Sequence, residues 1–138
     1  MTKLLVLALL LLAPGPQSQP AGLASAIQGK WHIESTNGQK LSGLGQKSEI
    51  EFKGTAYTVT TNGQTKETGT FKIDERKNPA EIDMTIKTGM AVGSTQIGIV
   101  QVINGELTLK TNTINTPKRP ADFKNELWYV LIVAKKQP

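Results

Sequence analysis

Residues 67–84 read ETGTFKIDERKNPAEIDM. Phe71 and Ile73 alternate with Thr70, Lys72 and Asp74; Ile82 and Met84 alternate with Glu81 and Asp83. A polar turn ending in Asn78-Pro79 separates the two segments. Apolar residues at every second position give a strand one buried and one solvated face. The stretch therefore reads as strand, connection, strand, each strand buried on one side.

The same period extends in both directions. Trp31 and Ile33 share a face of a first strand that ends at Asn37-Gly38. Gly43 and Gly45 keep the next stretch irregular. Ile50 and Phe52 mark a second strand stopping at Gly54, and Tyr57 and Val59 a third. Asn62-Gly63 is a strong two-residue hairpin signal, because both positions tolerate positive φ. It joins the third strand to a fourth that runs to Asp74. The fifth strand covers 81–87 and the sixth 95–103. Asn104-Gly105 leads into the seventh, 106–111, with Leu107 and Leu109 inward. A longer connection, 112–125, holds Pro117 and Pro120, and the last strand, 127–134, is apolar on both faces. No convincing helix interrupts the series. A meander of eight strands with one apolar face closes most simply into an all-β, antiparallel up-and-down barrel, complete or partly open. A two-sheet sandwich has the same local pattern and is the competing architecture.

The chain has 138 residues, enough for one domain, and its 20% charged and 38% hydrophobic residues exclude a polyelectrolyte and a membrane bundle. Residues 1–24 read as a signal peptide. Lys3 precedes the apolar run 4–13, which Pro14, Gly15 and Pro16 break, and the run is too short to span a bilayer. Cleavage is expected between Ala21 and Ala26, leaving a domain over 27–138 that is secreted or periplasmic and keeps no stable membrane span. There is no cysteine, hence no disulfide framework and no thiolate chemistry. The formal charge of +5 is spread along the chain. Lys53, Lys66, Lys72, Lys87 and Lys110 alternate with apolar residues, as on a solvated sheet face. Nucleic-acid binding is not expected, since that needs a clustered basic stripe.

The ordered set GTFKID, NP and EIDM resembles the central signature of the lipocalin-like domain family found in multiple copies in planctomycete bacteria. Gly98-Ile99, Gly105-Glu106-Leu107 and Arg119-Pro120 with Phe123 continue the pattern, so the resemblance covers 29–138. Gly29-Lys30-Trp31 is similar to the G-x-W start of the wider lipocalin-like group. The resemblance implies that Trp31 closes the barrel floor against a basic side chain of the last strand. That strand has no arginine, so Lys135 or Lys136 takes the part. Asp74 and Asp83 belong to the central signature and flank its turn. They read as structural, bonding turn amides and neighbouring Lys or Arg, the alternative being an acid–base pair or a calcium site. Arg119 reads as structural too, tying the proline-flanked connection to the two carboxylates. The other reading of Arg119 is an anion-binding residue. The family has no established biochemical activity.

Chemistry-bearing groups are sparse. The single histidine, His32, alternates away from Trp31 and has no cysteine or acidic cluster to complete a zinc site. No G-x-S-x-G elbow and no phosphate-binding loop occur. No catalytic residue, metal or cofactor is expected, and the chain does not read as an enzyme. The barrel interior remains. By alternation it holds Ile33, Ile50, Phe52, Tyr57, Val59, Phe71, Ile73, Met84, Ile86, Ile97 and Ile99. Eight strands enclose room for such side chains or for one small ligand. The expected pocket is bordered by Tyr57, Phe71, Met84 and Ile99. It has no inward charge, so its ligand would be small, apolar and neutral. The alternative is a filled barrel, a structural or protein-interaction domain acting through its loops. No particular protein partner is legible.

Overall fold

The structure, a computed structural model, describes residues 22–138. Most of the expected signal peptide lies outside the described residues. All three Asn-Gly pairs are hairpin corners. Both residues have positive φ at Asn37-Gly38 (52° and 79°), Asn62-Gly63 (50° and 78°) and Asn104-Gly105 (50° and 74°). This is the turn whose twist matches the strands it joins.

The strands are β1 (Gly29–Thr36), β2 (Gln39–Lys40), β3 (Ser48–Lys53), β4 (Ala56–Thr61), β5 (Gln64–Asp74), β6 (Ala80–Thr88), β7 (Thr95–Ile103), β8 (Glu106–Asn112) and β9 (Tyr129–Lys136). Apart from β2, each pairs antiparallel with its neighbours in sequence, and β1 also pairs with β9. The result is a closed eight-stranded up-and-down barrel. The short β2 is an extra strand on the end of β1, where Asn37-Gly38 folds the chain back. β1 pairs with β3 along one edge and with β9 along the other, and the β1–β9 ladder shifts register between Ile33 and Ser35.

Two short helices accompany the barrel. α1 (Leu23–Ala26) is a single turn before β1, and a 3₁₀ turn (Leu41–Leu44) follows β2. Gly45, at φ 66°, ends the latter in the left-handed region that glycine adopts without strain. No helix among the described residues is long and apolar enough to cross a membrane.

Register fixes the two faces. Phe71 lies opposite Met84, Met84 opposite Gln96, and Ile82 opposite Gly98. Val100 lies opposite Leu109, and Leu109 opposite Ile132. These residues share the inner face. Ile99 lies opposite Glu81 and Lys110, which puts it on the outer face. The run Ile97-Gly98-Ile99-Val100 has no alternation to choose between faces, and pairing chooses the opposite one from that expected. Ile99 is still 2% exposed, because the connection 113–128 lies over this part of the wall.

The last strand begins two residues later than expected. Trp128 has φ 73°, which breaks the extended chain, and both Leu127 and Trp128 are exposed. The side chain of Asn37 then accepts from the Leu131 amide at 2.8 Å.

Candidate functional site

The barrel is a cup with unequal ends. Alternating strand direction puts the connections 54–55, 75–79 and 104–105 at one end, with α1. It puts 37–47, 62–63 and 89–94 at the other, together with both ends of the connection 113–128.

The first end is plugged. Trp31 is 1% exposed and its indole Nε1 donates to the Ile27 carbonyl at 2.7 Å. Lys136 sits directly opposite Trp31 in the β1–β9 ladder. Its Nζ lies 4.8 Å from the ring centroid and also donates to the Gln28 carbonyl. Lys135 points the other way and pairs with Glu106 at 3.6 Å. The segment before β1 is stitched to the floor. Gln28 makes two hydrogen bonds to the backbone of Gly54, at 2.7 and 2.9 Å. The Ala24 amide donates to Glu75 at 2.9 Å, and Ile27 is fully buried. Above the plug, Phe52 packs edge-on against Phe71 at 5.0 Å and tilted against Tyr57 at 6.5 Å.

The second end is open. A cavity of about 310 Å³ lies inside it, lined by Ile50, Val59, Met84, Leu109, Val130 and Ile132, with Met90, Gln96 and Thr111 nearer the mouth. Lys66 and Glu67 also line it. A second hollow of about 420 Å³ shares Val59 and Ile132 and extends beneath Leu41 and Leu44 of the 3₁₀ turn. Glu67 lies opposite Val59 and so faces inward, contrary to the expectation of an uncharged interior. Its carboxylate accepts from the Tyr57 hydroxyl at 2.8 Å. Burial, and then the bond to Glu67 and its charge, push the Tyr57 hydroxyl well above its ordinary pKa, so it stays a donor. No buried side-chain nitrogen or oxygen among the described residues lacks a partner.

Of the four expected pocket residues, Met84 lines this cavity. Tyr57 lies below it and reaches it through Glu67, Phe71 belongs to the aromatic layer of the floor, and Ile99 is outside the barrel. Leu109, Val130 and Ile132 complete the lining. A last strand apolar on both faces gave no sign of which half would face in.

The outer wall holds a second constellation. Arg119 donates to the carbonyls of Ile82 (3.1 Å) and Gly98 (2.9 Å) and to Asp83 (2.7 Å), with Glu81 at 3.5 Å. It does not reach Asp74. That carboxylate is bound by Arg76, two residues away, which holds its pKa down to about 2, first through the side-chain hydrogen bonds and then through the Arg76 amide. Arg119 is instead engaged by Asp83 and the two carbonyls. Lys110 reads as one more solvated lysine but is fully buried beneath the same connection. Its Nζ meets Glu126 at 2.5 Å and the Asp122 carbonyl at 2.9 Å, and lies 4.9 Å from the Tyr129 ring centroid. These contacts clamp the connection onto the wall. His32 lies on the outer side of β1, and no group of three or more metal-ligating side chains occurs among the described residues.

No protein-family model, curated protein or solved structure matches this chain.

Proposed function

We propose that this is an exported, lipocalin-like binding module that takes one small, mainly apolar ligand through the open end of its barrel. The observation that carries the reading is the apolar cavity of about 310 Å³ open at one end of a barrel plugged at the other. That volume sits at the lower end of the roughly 300–1,000 Å³ common for ligand sites. The lining is aliphatic, so contact is by burial rather than by aromatic stacking. Glu67 supplies the polar handle. A ligand hydroxyl or amide N–H can donate to its carboxylate, whereas a ligand carboxylate would meet like charge there. The cup has no nucleophile and base pair, which favours binding over catalysis.

Native mass spectrometry of protein purified from its own host, with titration by an environment-sensitive apolar dye, tests this. The expected result is saturable one-to-one binding that Met84→Trp abolishes by filling the cavity. Absence of both a co-purified ligand and saturable dye binding by the unaltered, folded protein would overturn the proposal.

A further inference from the structure

We infer that the open end of the barrel is a docking surface for an anionic lipid bilayer. This goes beyond the ligand reading and stands without it.

Large apolar side chains project into water at this end. Met90 is 105% exposed, Ile114 95%, Val92 62% and Leu44 51%, and they stand on three separate connections. Ile103 is the exposed large apolar residue at the plugged end, and it is 56% exposed. Charge divides along the same axis. The open-end segments 36–48, 61–66, 87–96 and 111–116 contain Lys40, Lys47, Lys66 and Lys87, and not one aspartate or glutamate. None of these four lysines forms a salt bridge among the described residues. Carboxylates gather elsewhere. Asp74, Glu75, Glu81 and Glu106 lie at or beside the plugged end. Asp122 and Glu126 are engaged by Lys110, and Glu67 accepts from Tyr57. Asp83 is held by Arg119, and Glu34, Glu49 and Glu51 remain on the outer wall, Glu34 beside Lys40 and Glu49 accepting from Gln137.

Separate apolar tips set among lysines, with no acid between them, fit the bilayer interface. The tips enter the boundary between headgroups and acyl chains, and the flexible lysine stems carry their ammonium groups to lipid phosphates. Each lysine near an anionic surface strengthens binding by about fivefold. A barrel so docked opens its cavity toward the membrane.

The chain has no cysteine, so one introduced thiol reports one position. In the exported protein after signal cleavage, an environment-sensitive fluorophore is attached at Met90→Cys or at Ile103→Cys. Vesicles of phosphatidylcholine alone, or of phosphatidylcholine with phosphatidylglycerol, are then added. The expected result is a blue shift at position 90 with the anionic vesicles alone, and none at position 103. Lys47→Gln with Lys87→Gln should raise the lipid concentration needed by about twenty-five-fold. An equal response to both vesicle types would overturn the inference, as would a shift at 103 in place of 90. So would no shift with either vesicle, the outcome for a surface kept for a protein partner. A shift at 90 that grows with protein concentration without lipid would assign the rim to a second copy of the chain and overturn it too.

Discussion

Trp31→Ala should bring this protein close to the limit of folding. The indole is 1% exposed, and truncating a large core aromatic costs about 3–5 kcal/mol. Two further interactions go with it. The Ile27 carbonyl loses the indole N–H held at 2.7 Å, and a buried polar group left unpartnered costs about 1–3 kcal/mol. Lys136 loses the ring beneath its ammonium group, worth about 0.5–1 kcal/mol at an exposed site. These contributions overlap, since water entering the gap at the floor would serve both freed groups. A net loss of about 4–6 kcal/mol is expected, against a total of about 5–15 kcal/mol for a typical domain. Trp31→Phe keeps an aromatic ring but not the donor, so about 1–2 kcal/mol should be lost. Urea unfolding followed by circular dichroism measures both, independently of the altered fluorescence. With a slope of about 2 kcal/mol per molar urea, the alanine variant should shift the midpoint by about 2–3 M. A shift under about 0.5 M at unchanged slope would refute the reasoning, because the plug would then contribute little to stability.

The outer-wall clamp and the N-terminal segment supply two more tests. Arg119→Ala should cost about 2–3 kcal/mol and speed amide exchange across 113–128, since it frees two carbonyls and Asp83 together. Arg119→Lys should rescue little, because an ammonium group cannot reproduce the guanidinium fork, so a lysine variant equal to the parent would refute this account. Signal cleavage is predicted at or before Gly22, because Ala24 and Ile27 are already tied to the barrel. An intact mass beginning at Ile27 would contradict this prediction, and one retaining residues 1–20 would contradict export with cleavage.

What the sequence made legible follows from where water lies. β3 and β6 alternate buried and less buried residues along their length, as expected of strands with one solvated side. The Asn-Gly corners were legible because few other pairs accept two successive positive φ values. Legibility ended where water is excluded from both faces. Under the connection 113–128, the outer side of β6, β7 and β8 is covered as well as the inner side. Ile97 to Val100 can then be apolar throughout, and parity no longer follows from composition. Lys110 was unreadable for the same reason. It faces outward, as its alternation says, but its partners, Asp122 and Glu126, are 12 and 16 residues away on an irregular segment. Glu67 shares the parity of Gly69, Phe71 and Ile73, so alternation does carry it inward, but residues 64–68 include no apolar side chain and so gave no sign of a covered face there.

The position of the cavity has a simple cause in the placement of the aromatic residues. Trp31, Phe52, Tyr57 and Phe71 all fall in the half of their strands nearest the plug, where they belong to one buried cluster and the Phe52 ring packs against those of Tyr57 and Phe71. Above them the inward positions are Ile50, Val59, Met84, Leu109 and Ile132, none with a ring. A barrel of constant strand number has nearly constant width, so the change from rings to aliphatic side chains leaves space on one side only. This divides the labour along the axis. The aromatic half and its stitched N-terminal segment hold the barrel closed. The aliphatic half can then remain open without the fold depending on tight packing at the mouth. Replacing a floor residue should therefore act on stability, and filling Met84 or Val59 should act on occupancy.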